Sequence, residues 1–249
     1  TGASILRDEK LKMVVNLRAS YQMEIDKIVD SLVRNARQKI AIIYQDDAFG
    51  KDGLKSAESA LKKHGLKPVA IATVQRNSAK IQSALQVLLS SEPNAIIIIS
   101  TYVSSAALSR ELLKRDVKAQ IMNVSFVGTR ALEKSLPVGL ANGIGVSQVV
   151  PFPWDRWIPV VADYQRLMRV NNSSARFGFT SLEGFMAARL ITEGIRKVQG
   201  PLTKESLVKS LKSIKKVDLG GFQLDLSSNN KQASDYVELT FFGAQQWEP

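Results

Sequence analysis

Residues 40–65 read IAIIYQDDAFGKDGLKSAESALKKHG, an apolar run followed by two aspartates, two glycines and a segment of helical period. The apolar run is rich in β-branched isoleucine, which is typical of a buried strand, and the aspartates and glycines after it are typical of a turn. The stretch therefore predicts a strand that turns into a helix. Polar residues at such a strand end can bind phosphate, act as an acid or line a ligand cleft.

The alternation of apolar runs and helical segments continues along the chain. The other apolar runs are PVAIATV (68–74), AIIIIS (95–100), AQIMNVS (119–125) and GIGVSQVV (143–150). The helical segments between runs cover about 52–64, 78–91, 104–115 and 129–135, with Ser78 placed to cap the second. Runs that are apolar on both faces suit a parallel sheet covered by helices on both sides. The sequence thus predicts an α/β fold with a doubly wound sheet.

The segments on either side of this pattern have a different character. Before it, Ser20 is placed to cap a helix whose apolar residues recur at helical spacing. After it, PFPWDRW (151–157) precedes three amphipathic helices, predicted at roughly 158–170, 181–198 and 203–214. These helices have no strands of their own to cover, so they need a partner surface. Two alternating strands, 222–226 and 237–242, are predicted to form an edge or hinge-crossing hairpin.

The composition removes several classes of function. The chain has 249 residues, 45% of them hydrophobic, and no apolar run approaches the ~20 residues that span a bilayer, so we expect a globular protein without membrane insertion. There are no cysteines and His64 is the only histidine, which leaves little thiol or metal chemistry. The net charge of +11 is spread along the helices and accompanies no base-reading motif, so nucleic acid is not an expected partner.

The start of the chain and the motifs at the predicted strand ends narrow the possible functions further. TGASILRDEK lacks the pattern of a signal peptide, so an export signal is expected to be removed or not included. Asp46 and Asp47 would suit a phosphoacceptor site, but such a site needs a third carboxylate, and Ser100, Thr101 and Tyr102 follow the third strand instead. The pair is therefore predicted to cap the next helix. No glycine pattern matches a nucleotide-binding loop or a nucleophile elbow, while a carboxylate pair for glycoside chemistry stays open.

What remains is a set of polar and aromatic residues at the predicted strand ends. They are Asp46, Asp47, residues 100–104, Ser125 and Phe126. In an open parallel sheet, ligands bind beyond the carboxyl ends of the strands. Hydroxyls, helix N-termini and a tyrosine suit a small anion or polar solute, although capping alone also accounts for serines and threonines at these positions.

Three stretches taken together, YQDDAFGKDGL, VVNLRASYQMEI and SLEGFMAARLITEGIRK, resemble the type 1 periplasmic binding proteins of the branched-chain amino acid (leucine/isoleucine/valine) transport family. The likeness covers essentially the whole chain in order. It implies two doubly wound lobes that close on one solute, an amino acid or a related small carboxylate or amide. The solute would pass to the membrane permease of an ABC transporter. It also implies a periplasmic or extracellular location, no catalysis and no cofactor. A sensing domain of a larger receptor is the alternative.

The resemblance also implies a domain organisation. Residues 1–22 and 151–234 resemble part of the first lobe, and residues 23–150 and 235–249 resemble a complete second lobe. About the first hundred residues of a relative's mature chain, a domain-sized piece, have no counterpart here, so the first lobe is expected to be incomplete. Crossings between the lobes are expected near 19–23, 149–153 and 228–237.

Finally, the resemblance implies site residues. Gly2 and Ser4 match positions that hold the solute's carboxylate in amino-acid-binding relatives, and Tyr102 matches an aromatic that closes over the solute. Asp47 and Phe126 complete the predicted ligand-binding set. Ser125 stands where many relatives have an acidic residue that pairs with the α-ammonium. Because a hydroxyl cannot supply that charge, the resemblance leaves an ordinary α-amino acid, a small carboxylate, an aromatic acid and an amide as comparable solutes.

Overall fold

The computed structural model describes residues 1–137, 139–227 and 232–243, and the chain divides into two compact units. One unit comprises Thr1–Ser20 and Val149–Tyr236, and the other comprises Tyr21–Gln148 and Val237–Pro249. The divisions follow residues 20, 148 and 236, and the predicted lobe boundaries follow residues 22, 150 and 234. We call the unit that begins at Thr1 the helical unit and the unit that begins at Tyr21 the sheet unit.

The sheet unit is built on six strands. Their bounds are β1 Ile40–Gln45, β2 Ala70–Val74, β3 Ala95–Ile99, β4 Gln120–Asn123, β5 Gly145–Gln148 and β8 Glu238–Phe241. The strand order is β2-β1-β3-β4-β5-β8, with all pairs parallel except β5–β8. The order reverses direction at β1, as in doubly wound folds. The predicted five-strand parallel sheet and the α/β class are therefore confirmed.

Helices cover both faces of this sheet. Their bounds are α1 Tyr21–Arg34, α2 Ala48–Lys63, α3 Gln82–Ser91, α4 Tyr102–Lys114 and α5 Thr129–Lys134. One core joins α1 and α2 to the sheet, and a second joins α3, α4 and α5 to the opposite face. Every residue of β3 is buried, because alternate side chains enter the two cores. This explains why AIIIIS is apolar without alternation.

Among its described residues, the helical unit contains three α-helices and a two-stranded antiparallel sheet. Their bounds are α6 Pro159–Asn171, α7 Phe179–Arg196, α8 Lys204–Ser213, β6 Lys216–Asp218 and β7 Gln223–Asp225. Its core includes Tyr164, Leu182 and Met186. The three predicted helices are thus present. Among the described residues, no helix has the length and apolar character to cross a membrane.

Two local predictions are wrong. The strands β7 and β8 do not form a hairpin: β7 pairs with β6 in the helical unit, and β8 joins the edge of the six-stranded sheet. Ser78 does not cap α3, which begins at Gln82 without a side-chain cap. Asn77 has a φ of 52°, and Ser78 Oγ accepts a hydrogen bond from the Lys80 N–H instead (3.1 Å). This local turn delays the start of the helix.

Candidate ligand-binding site

Four of the predicted site residues lie at the carboxyl edge of the sheet unit. Asp47 follows β1, Tyr102 follows β3, and Ser125 and Phe126 follow β4. The strands β1, β3 and β4 are neighbours and run parallel, so their carboxyl ends meet at one edge. Tyr102 is 42% exposed and Phe126 is 41% exposed. The edge therefore presents two aromatic rings to solvent.

The acidic pair after β1 mainly turns the chain. Asp47 is the N-cap of α2, and its carboxylate accepts hydrogen bonds from the Gly50 N–H (3.0 Å) and from Gln45 Nε2 (2.5 Å). Asp46 forms an exposed ion pair with Lys51 (3.2 Å). The predicted capping role is thus confirmed for Asp47. Asp47 contributes to the edge chiefly by placing the start of α2.

A glycine is required where α2 begins, because the helix packs directly on the end of β1. A Cβ atom added at Gly50 would lie 1.8 Å from the backbone oxygen of Gln45. One at Gly53 would lie 2.6 Å from the Ile99 side chain. These contacts account for both glycines of FGKDG without a phosphate-binding role.

The hydroxyls after β3 bind other parts of the protein. Ser100 Oγ donates to the Thr101 carbonyl (3.1 Å), and Thr101 Oγ1 donates to Asn77 Oδ1 (3.0 Å). Ser104 Oγ donates to the Ser78 carbonyl (2.7 Å). These residues fix the loops around the start of α4. Tyr102 is the exposed member of the group, and its ring offers an apolar face with a polar tip.

An aromatic cluster forms a second part of the edge. Phe126 packs against Phe49 with ring centroids 4.4 Å apart, and both rings contact Tyr21 edge-on, at 6.4 and 5.1 Å. Tyr21 is buried, whereas Phe126 is partly exposed. The cluster thus holds the Phe126 ring beside Ser125. Aromatic packing of this kind gives a stable apolar surface for a solute side chain.

Ser125 is held by a buried carboxylate that the sequence prediction missed. Glu24 on α1 has no solvent exposure; it accepts hydrogen bonds from the Ser125 N–H (2.8 Å), Ser125 Oγ (3.1 Å) and Ser147 Oγ (2.5 Å). The sequence does carry a sign of it. Glu24 lies on the same helical stripe as the buried residues Tyr21, Ile25 and Ile28, and an acid on an apolar stripe needs buried donors.

The remaining two predicted residues belong to the helical unit. Gly2 is buried, and Ser4 is exposed at the start of a short 3₁₀ turn, Ser4–Arg7. The Arg7 guanidinium fixes this segment through hydrogen bonds to the carbonyls of Ala3 (2.9 Å) and Arg18 (3.0 Å). The four residues of the sheet edge and these two are therefore divided between the units.

Three carboxyl groups among the described residues have a clearly lowered pKa. Hydrogen bonds lower the pKa of three carboxyl groups: from Arg115 to Glu111, from Arg166 and Arg189 to Asp163, and from Ser227 to Asp225. None of the three lies at the end of β1, β3 or β4: Glu111 is in the last turn of α4, and the other two belong to the helical unit. His64, the C-cap of α2, pairs with Asp30 (2.7 Å). Within the described ranges no cluster of three His, Asp or Glu residues could hold a metal ion.

Comparison with known proteins places this geometry among binding proteins. The family model described as "Periplasmic binding protein" matches residues 2–241. No curated protein matches the chain. Three solved structures are similar along 98% of the chain: a possible leucine/isoleucine/valine-binding protein from Rhodopirellula baltica (33% identity, TM-score 0.92), a substrate-binding periplasmic protein from Ralstonia solanacearum (31%, 0.90) and an extracellular ligand-binding receptor from Verminephrobacter eiseniae (27%, 0.87). The chain covers 67%, 69% and 69% of their lengths, respectively.

Proposed function

Because the chain belongs to the periplasmic binding protein family and has its type 1 fold, we propose that it is the solute-binding component of an ABC uptake transporter. It is exported to the periplasm or the outer face of the cell, where it binds an amino acid or a related small carboxylate or amide. It then delivers the solute to a membrane permease. The proposal draws on the name of the Rhodopirellula baltica protein, a possible leucine/isoleucine/valine-binding protein.

The observation that carries the proposal is the carboxyl edge of the sheet unit. It combines two partly exposed aromatic rings, Tyr102 and Phe126, with the half-buried Ser125. Ligands of open parallel sheets bind at this edge. In the proposed roles, Tyr102 and Phe126 contact the apolar part of the solute, Ser125 contacts a polar group, and Asp47 supports the edge by fixing α2. Gly2 and Ser4 hold the carboxylate.

The proposed mechanism is capture by domain closure. The two units act as lobes, and the chain passes from one unit to the other after residues 20, 148 and 236. The crossings predicted near 19–23, 149–153 and 228–237 are the proposed hinge; residues 228–231 of the third lie outside the described residues. A solute shifts the equilibrium towards the closed state only by binding that state more tightly than the open one. To move the populations from 1:99 to 99:1, the solute must bind the closed state about ten-thousand-fold more tightly. A solute that contacts both lobes makes contacts in the closed state that the open state lacks, and these contacts are the source of the difference in affinity.

The test uses the full-length product of the gene and a panel of amino acids, small carboxylates, aromatic acids and amides. Thermal melting identifies a binding class, because ligand at roughly one hundred times Kd stabilises the folded state by about 2.7 kcal/mol. Calorimetry then gives the stoichiometry, expected to be one, and small-angle scattering with and without solute detects closure. The proposal is wrong if no panel member raises the melting temperature, or if a bound solute is chemically converted.

A sensing domain of a larger receptor is the second candidate, favoured by the name of the Verminephrobacter eiseniae protein, an extracellular ligand-binding receptor. The two candidates share the solute site and differ in what the protein is attached to. Cell fractionation of the full-length product separates them. A binding protein for a transporter is released with the periplasmic or extracellular fraction, or carries only an anchor. A receptor domain stays in the membrane fraction together with a signalling module.

A further inference from the structure

The buried Glu24 raises a question about the solute, because its charge lies directly behind a residue of the proposed site. A carboxylate with no exposure is stable only when donors surround it. Glu24 Oε2 accepts from the Ser125 N–H (2.8 Å) and from Ser147 Oγ (2.5 Å), and Glu24 Oε1 accepts from Ser125 Oγ (3.1 Å). All three groups donate to the carboxylate, which is the pattern that an ionised acid requires.

These hydrogen bonds fix the polarity of Ser125. A serine hydroxyl has one proton and two lone pairs, and here the proton points to Glu24. The backbone N–H of Ser125 points to the same carboxylate. Both donors of this residue are therefore directed inward, to α1. The part of the hydroxyl that faces away from Glu24 can only accept a hydrogen bond.

We propose that Glu24, acting through Ser125, makes the carboxyl edge of the sheet unit selective for solutes that present an N–H donor there, an ammonium above all. The proposal rests on the proposed function and adds the solute's polarity to it. Ser125 replaces the acidic residue expected at its position, and the negative charge lies one hydrogen bond behind it. The resemblance described above leaves amino acids, carboxylates and amides as comparable solutes. The Glu24–Ser125 pair favours those with a nitrogen donor and disfavours a carboxylate at this edge.

The test compares pairs of solutes that differ only in the amino group: leucine with isocaproate, valine with isovalerate, and phenylalanine with hydrocinnamate. Calorimetry on the full-length product gives the ratio of the two Kd values within each pair. We expect at least one amino acid to bind about tenfold or more tighter than its partner, the range of a charge-assisted hydrogen bond. If the desamino acids bind as tightly as the amino acids, the inference is wrong while the proposed function stands.

Variants then assign the selectivity to this pair of residues. Ser125→Ala removes the acceptor and is expected to reduce the ratio about tenfold. Glu24→Gln supplies an amide donor, which releases the Ser125 proton towards the solute, so the ratio falls further. Because both changes act on one hydrogen-bond chain, the double variant is expected to be no worse than Glu24→Gln alone.

Ser147→Ala is the matched control, since it removes another hydroxyl from the same carboxylate without touching Ser125. It is expected to lower stability but to keep the ratio within about twofold of the wild-type value. A ratio that survives in Ser125→Ala overturns the inference, and so does one that falls equally in Ser147→Ala. Should Glu24→Gln fail to fold, Ser125→Ala with its control decides. If the wild type binds no member of the whole panel, the proposed function is wrong; if it binds a panel member but only solutes without an N–H donor, the inference is wrong while the proposed function stands.

Discussion

The two units differ in how completely they bury their apolar side chains. In the sheet unit, β3 is entirely buried and α1 places its apolar stripe in the core. In the helical unit, large apolar residues are more strongly exposed: Val170 in α6 is 77% exposed, Ile191 in α7 46%, and Leu202, just before α8, 58%. In the sheet unit, Ile71 and Leu89 are 41% and 40% exposed. Burying an aliphatic side chain contributes about 1.5–3 kcal/mol, so each exposed one forgoes much of that stabilisation.

The comparison shows what a doubly wound sheet contributes. A parallel sheet offers two apolar faces, and each accepts a helix layer, as both cores of the sheet unit show. The helical unit has three helices but only the short pair β6–β7 as a sheet among its described residues. Substitutions of buried core residues should therefore be costly in the sheet unit. Many substitutions of exposed apolar residues on the helices should be mild in the helical unit.

The largest expected effect comes from Ile97→Ala at the centre of β3. Ile97 has no exposure, and the substitution leaves a cavity between the sheet and α2, so we expect a loss of about 3–4 kcal/mol in the free energy of unfolding. Ile191→Ala in α7 is the matched change at a 46% exposed position and should cost less than about 1 kcal/mol. Urea titration followed by circular dichroism measures both. Equal losses would contradict the difference in burial between these two positions.

The next effect compares one glycine from each unit. Gly50→Ala places a Cβ 1.8 Å from the Gln45 carbonyl oxygen, so the backbone must shift, and we expect a loss of about 2–3 kcal/mol. Gly184→Ala lies within α7, where an added Cβ meets no atom within 4 Å among the described residues. Alanine there should stabilise the protein by about 0.5–1 kcal/mol, because it limits the unfolded chain. Thermal melting of both variants checks the opposite signs.

The same comparison explains which parts of the fold the sequence predicts. The runs IAIIY and AIIIIS are apolar without alternation, which indicates strands buried on both faces, and both are strands of the sheet. The partners of β7 and β8 depend on contacts far apart in the chain, and a polar linker between two strands does not reveal whether they pair. For the same reason β6, a three-residue strand with two exposed positions, gave no pattern to recognise.

The sequence also predicts only part of the candidate site. Strand ends can be located from the apolar runs, so Asp47, Tyr102 and Ser125 could be assigned to one edge in advance. The Glu24–Ser125 hydrogen bonds could not, since the two residues are separated by 101 positions. The sequence offered only the anomaly of an acid on an apolar stripe. A role for Glu24 follows only from its hydrogen bonds to Ser125, which the structure shows.

A third, smaller effect concerns the N-caps of the two units. Asp47→Ala removes the acceptor for the Gly50 N–H and for the buried Gln45 amide, whose Oε1 already has no partner among the described residues. We expect a loss of about 2 kcal/mol, at the upper end for a cap. Thr203→Ala in the capping box of α8 should cost about 1 kcal/mol, since no buried amide depends on it. Asp47→Asn, which keeps an acceptor, should recover most of the loss in urea titrations.

The smallest expected effect is the pH dependence that Asp163 contributes to the stability of the helical unit. Hydrogen bonds from Arg166 and Arg189 lower the pKa of Asp163 below its ordinary value of 3.8. The ionised form is therefore favoured by folding, so its stabilisation is present above that value and is lost as the pH falls through the folded pKa. Because the side chain is 39% exposed, solvent screens the pair and we expect no more than about 0.5 kcal/mol. Asp163→Asn should thus lower the free energy of unfolding slightly at pH 7 and match the wild type once the pH has fallen below the folded pKa of Asp163. A difference between the two proteins that persists unchanged into acid would show that packing around α6 and α7, and not the carboxylate charge, is responsible.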